Sequence, residues 1–348
     1  MSKKKIIAIV GARPQFIKHF PFEKAVSDNF DLITIHTGQH YDDYMSKIFF
    51  DQMKMQRPKY MLDIGSRGHG AQTGLMMVEI EKIVQEEKPD WMIVYGDTNS
   101  TLAGALVAAK MHIPIAHIEA GLRSFNKYMP EEINRVMTDH ISSLLLVPSE
   151  TATRNLKAEG IVDNVEVVGD IMKDLVQMSI DDNVISDRKF EGAYYYATLH
   201  RPYNTDEKDR LSYVLQSLNQ LDKTVVFSIH PRTINAMSKF GLDRAHYSNI
   251  SFIDPQGYFD NLSYLYYSKG LITDSGGMQK EAYWLKKKCI TIRTETEWVE
   301  TLDGNANTLV FDDLSQLSII FNNDAQWDDS LYGDGQSGIQ INKLLQLK

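Results

Sequence analysis

The sequence predicts an α/β protein of two doubly wound domains, each a parallel sheet covered by helices. Three observations carry this expectation. Short apolar runs alternate with amphipathic stretches almost throughout the 348 residues, and unbroken β-α alternation gives parallel strands with helices on both faces. The rhythm yields about six strands, pauses at a polar stretch (181–191), then yields about five or six more, which fits two sheets better than one very wide one. Glycines, hydroxyls and charges gather directly after the strands, where doubly wound domains bind ligands.

In chain order, strands are expected at 6–10, 32–36, 91–95, 115–118, 144–147 and 165–168, with helical stretches at 72–87, 101–111, 131–142 and 151–160. The pattern restarts with strands at 194–199, 225–229, 251–253, 271–273 and 289–292. The boundary is placed at Gly169-Asp170, giving domains 1–169 and 170–335. Two such domains facing each other would make one interdomain cleft.

A chain of this length can bury two cores of ordinary size. Its composition, 43% hydrophobic and 24% charged, is that of a soluble globular protein. The net charge of −9 argues against nucleic acid or an anionic membrane surface as partner, so any phosphate must be held by local donors. The single cysteine, Cys289, excludes an internal disulfide framework and a CxxC metal site, and its apolar run makes it a packed strand thiol. No signal-peptide core and no apolar run of about 18 residues is visible, so a cytoplasmic location is expected. The ten histidines fit no compact ligand spacing such as HExxH, and no metal is expected. Lys3-Lys4-Lys5 reads as a solvated terminus, and Lys286-Lys287-Lys288 as the basic end of a helix.

The most informative segment is Leu271-Ile272-Thr273-Asp274-Ser275-Gly276-Gly277-Met278-Gln279-Lys280-Glu281. An apolar run stops at a hydroxyl and two glycines, and a helical pattern begins. Glycines admit a ligand close to the backbone, and the first free N–H groups of the helix then face it with the positive dipole end behind them. Ser275, Gly276 and Gly277 therefore read as a phosphate seat, and Glu281 as a carboxylate for ribose hydroxyls; the segment reads equally as a Gly-rich turn with a Ser cap. The first strand runs into Gly11-Ala12-Arg13-Pro14, followed by Lys18. GxGxxG is absent there, which gives no support for a nicotinamide or flavin. Arg13 could fork onto a phosphate or lie at the surface. Asp97 follows the third strand and reads either as a functional acid or as an N-cap. Glu119 falls in an otherwise buried run, where an ionised side chain must be paired or used, and Arg123 is its obvious candidate partner. Of Glu131 and Glu132, one is expected to be structural in a helix first turn. His200-Arg201 and His230 again follow strands.

Taken together, Gly-Ala-Arg-Pro at 11–14, Thr-Gly-Gln-His at 37–40, Gly-Asp-Thr at 96–98, His-Ile-Glu-Ala-Gly-Leu-Arg at 117–123, Pro-Glu-Glu-Ile-Asn-Arg at 130–135, His-Arg at 200–201 and Thr-Asp-Ser-Gly-Gly at 273–277 resemble the non-hydrolysing UDP-N-acetylglucosamine 2-epimerases. The likeness runs from Gly11 to the tail at 332–335. It implies the two-Rossmann-domain fold of the GT-B glycosyltransferases, with a last helix (about 336–348) crossing back onto the first domain, a UDP-N-acetylhexosamine substrate, no cofactor and a homodimer. By the same resemblance Asp97, Glu119 and Glu131 match the acid/base carboxylates and His200 the active-site histidine. Arg13 and Lys18 match cationic positions at the substrate, Ser275 to Gly277 the diphosphate loop, and Glu281 the ribose-binding acid. Arg123, Arg135, Arg201 and His230 are further candidate substrate contacts in or beside these motifs. Arg-Ser-Phe-Asn at 123–126, Ile-His-Pro-Arg at 229–232 and Thr-Glu-Trp-Val-Glu at 296–300 are more similar to the branch acting on UDP-2,3-diacetamido-2,3-dideoxyglucuronate in surface-polysaccharide pathways. Trp298 stands where the first branch has an Arg, and Pro202-Tyr203-Asn204 departs from both branches, which commonly have an acid after His-Arg.

Carbon 2 of an N-acetyl sugar has no neighbouring carbonyl, and a redox route would need the missing nicotinamide turn. The remaining route breaks the C1–O bond to UDP, removes the C2 proton to give a 2-acetamidoglycal, then returns proton and UDP. Carboxylates would stabilise positive charge and move protons on two faces, while Arg13, His200 and the Ser275 loop neutralise the diphosphate. Three other functions fit the same fold: a glycosyltransferase, which would need an acceptor; a hydrolysing epimerase, which would release free sugar; and an inert nucleotide-sugar sensor, which would bind without turnover.

Overall fold

Five consecutive residues of the first strand, Ile6 to Val10, have no exposed surface, as a central parallel strand covered on both faces requires. The computed structural model describes residues 3–39, 55–185 and 187–348, with the backbone alone at Arg13; His40 of the 37–40 motif lies outside the described residues. The chain divides into two compact units, Met1–Gln177 with Ser330–Lys348, and Met178–Asp329. Unit 1 thus continues past Gly169, where the boundary was expected.

Unit 1 contains β1 (Lys4–Val10), α1 (Arg13–Val26), β2 (Phe30–His36), β3 (Tyr60–Met61), α2 (His69–Glu87), β4 (Trp91–Tyr95), α3 (Asn99–Lys110), β5 (Ile115–Ile118), α4 (Pro130–Ile141), β6 (Leu144–Val147), α5 (Glu150–Ala158), β7 (Val165–Val167) and most of α6 (Ile171–Asp181). Its strands form a seven-stranded sheet in the order β3-β2-β1-β4-β5-β6-β7. Every pairing is parallel, with Ile6 opposite both Leu32 and Trp91. The order reverses between β1 and β4, the topological switch point where such sheets bind ligands beyond their carboxyl ends. Ile7, Ile9, Ile33, Ile35, Met92 and Val94 meet Met76, Ile80, Val84, Ala103 and Val107 of α2 and α3 in one apolar core. Each large aliphatic side chain buried there contributes about 1.5–3 kcal/mol.

Unit 2 repeats the plan. Its elements are β8 (Tyr194–Thr198), α7 (Pro202–Thr205), α8 (Lys208–Asn219), β9 (Thr224–Ser228), α9 (Pro231–Phe240), β10 (Ile250–Ile253), α10 (Tyr258–Tyr267), β11 (Leu271–Thr273), α11 (Gly276–Trp284), β12 (Cys289–Thr291), β13 (Asn307–Leu309) and α12 (Leu317–Asn322). The six-stranded parallel sheet runs β10-β9-β8-β11-β12-β13, so its switch point lies between β8 and β11. Cys289 is a buried thiol whose burial pushes its pKa up to about 12, leaving it unreactive as a nucleophile at neutral pH.

The last helix, α13 (Ser337–Leu347), belongs to unit 1 and packs against α1. Asp174 of α6 holds its start, accepting the Ser337 N–H at 3.0 Å and the Gly338 N–H at 2.7 Å. Burial nevertheless pushes the Asp174 carboxyl up to about 6, against those two donors. A raised acid holds its proton in the folded state where the unfolded chain has lost it. Its contribution to stability is therefore complete below about pH 4 and is lost as pH rises through 6. The unfolding free energy of the wild type, relative to Asp174→Asn, is expected to fall by about 2.4 kcal/mol between pH 4 and pH 7, as urea melts of both proteins would show.

Candidate active site

In unit 1 the chain leaves β1 at Gly11, where a Cβ would collide with the hydroxyls of Thr37 and Ser100; only glycine fits. Gln15 Oε1 accepts the N–H groups of Gly11 (2.8 Å) and Ala12 (3.1 Å), while its amide donates to the Tyr95 carbonyl and the Thr101 hydroxyl. This latch ties the start of α1 to the end of β4. It also brings Lys18, one turn further along α1, towards the residues that follow β4 and β5.

β4 ends in Tyr95-Gly96-Asp97, with Gly96 at φ +59°. The cap of α3 is Thr98, whose hydroxyl accepts the Thr101 N–H at 3.2 Å, so Asp97 is not the N-cap. Its carboxylate pairs with Arg135, and its carbonyl accepts the Asn134 side-chain amide at 2.9 Å. Burial raises the Asp97 carboxyl above its ordinary value; the charges of Arg135 and Lys18 oppose this, and that of Glu119 adds to it. Glu119 follows β5 at φ +69°, a left-handed backbone that a non-glycine residue adopts at a cost and that clusters at functional sites. Its carboxylate and Lys18 form a buried ion pair. Lys18, Asp97, Glu119 and Arg135 thus make one electrostatic cluster at the switch point.

The other unit 1 candidates separate. Glu132 is the structural member of the acidic pair: it accepts the N–H groups of Ser124 (2.8 Å) and Phe125 (2.9 Å) and pairs with Arg135 at 3.3 Å. Glu131 is exposed in the first turn of α4. Arg123 is not the partner of Glu119. It forks onto Glu159 at 2.6 and 2.8 Å and donates to Asp139 at 2.7 Å, because the left-handed turns at Glu119 and Gly121 send the two side chains apart. That engagement gives Arg123 a structural role in this geometry. The Arg13 side chain lies outside the described residues.

In unit 2 the organising group is Asp274, fully buried at the end of β11. It accepts the His200 N–H (3.0 Å), the Arg201 N–H (2.9 Å) and the Asn204 amide (3.1 Å), and lies 3.2 Å from His200 Nδ1. The half-exposed His200 ring therefore turns Nδ1 towards Asp274. His230 stands 5.4 Å from it, ring centre to ring centre, and accepts the Arg232 N–H as the cap of α9. Arg201 Nε is buried without a hydrogen-bond partner among the described residues. Ser275 is the N-cap of α11, and Gly276 opens that helix on a side bare of close backbone, facing Nη1 of Arg293. Glu281 is buried further along α11.

Sequence reasoning passed over Arg293, a buried cation directly after β12 that pairs with Glu297 at 3.1 Å; its place after a strand was the available signal. It also passed over Asp274, although that residue stands inside the quoted loop. Trp298 is 5% exposed, and the ammonium of the buried Lys280 lies 3.5 Å from its ring centre, a cation–π contact. Trp298 is thereby tied to α11 through Lys280. Among the described residues, no three His, Cys, Asp or Glu side chains converge as metal ligands, and no helix is long and apolar enough to cross a membrane.

The sequence model of the UDP-N-acetylglucosamine 2-epimerase family matches residues 24–346. A UDP-N-acetylglucosamine 2-epimerase homolog of Methanococcus maripaludis is 46% identical over 98% of this chain and 99% of that protein. The UDP-2,3-diacetamido-2,3-dideoxy-D-glucuronate 2-epimerase of Pseudomonas aeruginosa is 43% identical over 98% and 99%. The crystal structure of the Methanocaldococcus jannaschii UDP-GlcNAc 2-epimerase with UDP-GlcNAc and UDP superposes with a TM-score of 0.89, at 42% identity over 99% of this chain and 100% of that one. The chain belongs to the UDP-N-acetylglucosamine 2-epimerase family and is an enzyme of the isomerase class.

Proposed function

We propose that this enzyme inverts carbon 2 of a UDP-N-acetylhexosamine by eliminating UDP and adding it back through a 2-acetamidoglycal. The observation that carries the reading is the pair of carboxylates at the unit 1 switch point, each held by its own cation, with Asp97 raised towards the range useful for proton transfer. The C1–O bond breaks with its electron pair leaving on the diphosphate, and a carboxylate takes the C2 proton, so the C2–H pair becomes the C1=C2 bond. Proton delivery to the opposite face of C2 and attack of the diphosphate oxygen on C1 reverse both steps. Asp97 and Glu119 serve as base and acid; because they interact, they titrate as a set. Glu131 would join them by reorientation of an exposed side chain.

Unit 2 supports the nucleotide half of this reading. The N-terminus of α11, capped by Ser275, offers the N–H groups of Gly276 and Gly277 to a diphosphate, with Arg293 beside Gly276 as a cation. His200, Arg201 and His230 follow β8 and β9 as further neutralising groups, and Glu281 is suited to the ribose hydroxyls. Arg13 and Arg135 complete the cationic set of unit 1. The names of the relatives support two substrates, UDP-N-acetylglucosamine and UDP-2,3-diacetamidoglucuronate. The reading extends to a supply of manno-configured donors for surface polysaccharide by a homodimer in the cytoplasm.

The test is proton NMR in D2O with each substrate separately. Loss of the C2–H signal with appearance of the manno epimer supports the proposal; turnover only with an acceptor alcohol would make the protein a transferase. Asp97→Asn and Glu119→Gln are each expected to lower turnover at least about 100-fold while calorimetry shows UDP binding within about threefold of wild type. The kcat/KM profile should fall as pH drops through the raised Asp97 value. Arg135→Met, which removes a charge holding that value down, should move this limb to higher pH. Arg293→Met should weaken UDP about tenfold or more and leave uridine binding unchanged, as loss of one charge-assisted contact predicts.

A further inference from the structure

His117 sits in β5 with no exposed surface, and both ring nitrogens face acceptors. Nε2 lies 2.8 Å from the Gly96 carbonyl oxygen and Nδ1 2.7 Å from Asp139 Oδ1. A carbonyl oxygen cannot donate, so Nε2 carries a proton. The second Asp139 oxygen accepts from Arg123 Nη1 at 2.7 Å and from the Gly121 N–H at 3.2 Å. Burial raises this carboxyl, but His117 and Arg123 together bring it below its ordinary value. The ring therefore links the Gly96 carbonyl to Asp139, and Arg123 carries the chain of contacts on to Glu159.

The two ends of this network are the two turns that carry Asp97 and Glu119. Through Gly121 and Arg123, Asp139 fixes the turn after β5; through His117 it fixes the Gly96 carbonyl in the turn after β4. Both turns are left-handed, at Gly96, Glu119 and Gly121. Gly96 also lies against the acid pair itself: a Cβ there would stand 3.1 Å from Glu119 Oε2 and 3.2 Å from Lys18 Nζ. Rotation of the Gly96–Asp97 peptide would therefore move Asp97 and press on Glu119 together. We propose that His117 and Asp139 are positioning residues for the epimerisation, with the buried His117 ring holding the Gly96 carbonyl so that Asp97 and Glu119 keep their spacing.

The kinetic part of this proposal rests on the epimerase reading; the contact with Gly96 does not. In the nucleotide-free protein with ¹⁵N-labelled histidine, long-range ¹H–¹⁵N spectra should show a proton on His117 Nε2, the signal being assigned by its loss in His117→Gln. A ring whose Nε2 carries no proton overturns the contact. In kinetics, His117→Gln and Asp139→Asn should each lower kcat about 100-fold per folded molecule, with KM and UDP affinity within about threefold. Wild-type kcat in folded His117→Gln overturns the positioning role, since a merely structural residue would change only the folded fraction. If Asp139→Asn does not fold, His117→Gln and the wild-type spectrum still decide. A wild type that binds UDP but epimerises neither substrate defeats the epimerase reading and leaves the spectrum to settle the His117–Gly96 contact.

Discussion

Unit 1 depends on keeping two carboxylates, Asp97 and Glu119, ionisable at the carboxyl ends of adjacent strands. Burial raises the Asp97 carboxyl, and the charge of Glu119 adds to the effect. The sequence supplies one cation to each, Arg135 from α4 and Lys18 from α1. Those two helices are in turn fixed to the sheet end, α1 by the Gln15 latch and α4 by Glu132 and Asn134. The left-handed backbone at Glu119 is tolerable only because this scaffold over-determines it.

The chain carries a net charge of −9, so its field repels an anionic nucleotide, and attraction has to be local. In the proposed reading the carboxyl ends of the unit 2 strands supply that attraction. His200, Arg201, His230 and Arg293 stand after three strands, and the positive end of α11 opens after a fourth. Asp274 fixes the backbone of His200 and Arg201, and the Ser275 hydroxyl caps α11. A helix N-terminus works as an anion seat only when its first turn is unobstructed, and Gly276 meets that condition with no backbone within 4 Å of its missing Cβ.

The central strands were legible because buried parallel strands are short uninterrupted apolar runs, as at 6–10, 91–95 and 115–118. β3 and β13 were not, since two or three residues show no periodicity. The placement of Asp97 and Glu119 after strands was legible too, and the resemblance added their roles. Partnerships were not. Glu119 and Arg123 are four residues apart, which suggested a pair, yet the turns between them make them point to Lys18 and Asp139 instead. Glu131 and Glu132 are adjacent and chemically equivalent in sequence, and only the 124–125 backbone distinguishes the capping acid from the exposed one. Asp139 reads as one more polar position on an amphipathic helix; its partner His117 lies on a strand, and no local pattern encodes that contact.

One physical device recurs in both units. A buried aspartate, Asp139 in unit 1 and Asp274 in unit 2, accepts backbone N–H groups and also meets a histidine ring through Nδ1. A carboxylate has about four lone-pair directions, so one such group can hold a turn and orient an imidazole at once. Replacing it by an apolar residue would orphan every donor it satisfies. The use of the ring differs with its burial. His200 is half-exposed, and the aspartate beside Nδ1 orients a ring that reaches solvent. His117 is enclosed, so its Nε2 is directed at a carbonyl and the ring becomes a rigid strut between two turns. The same Asp–His pairing therefore yields an orienting contact where the ring reaches solvent and a scaffold where it does not.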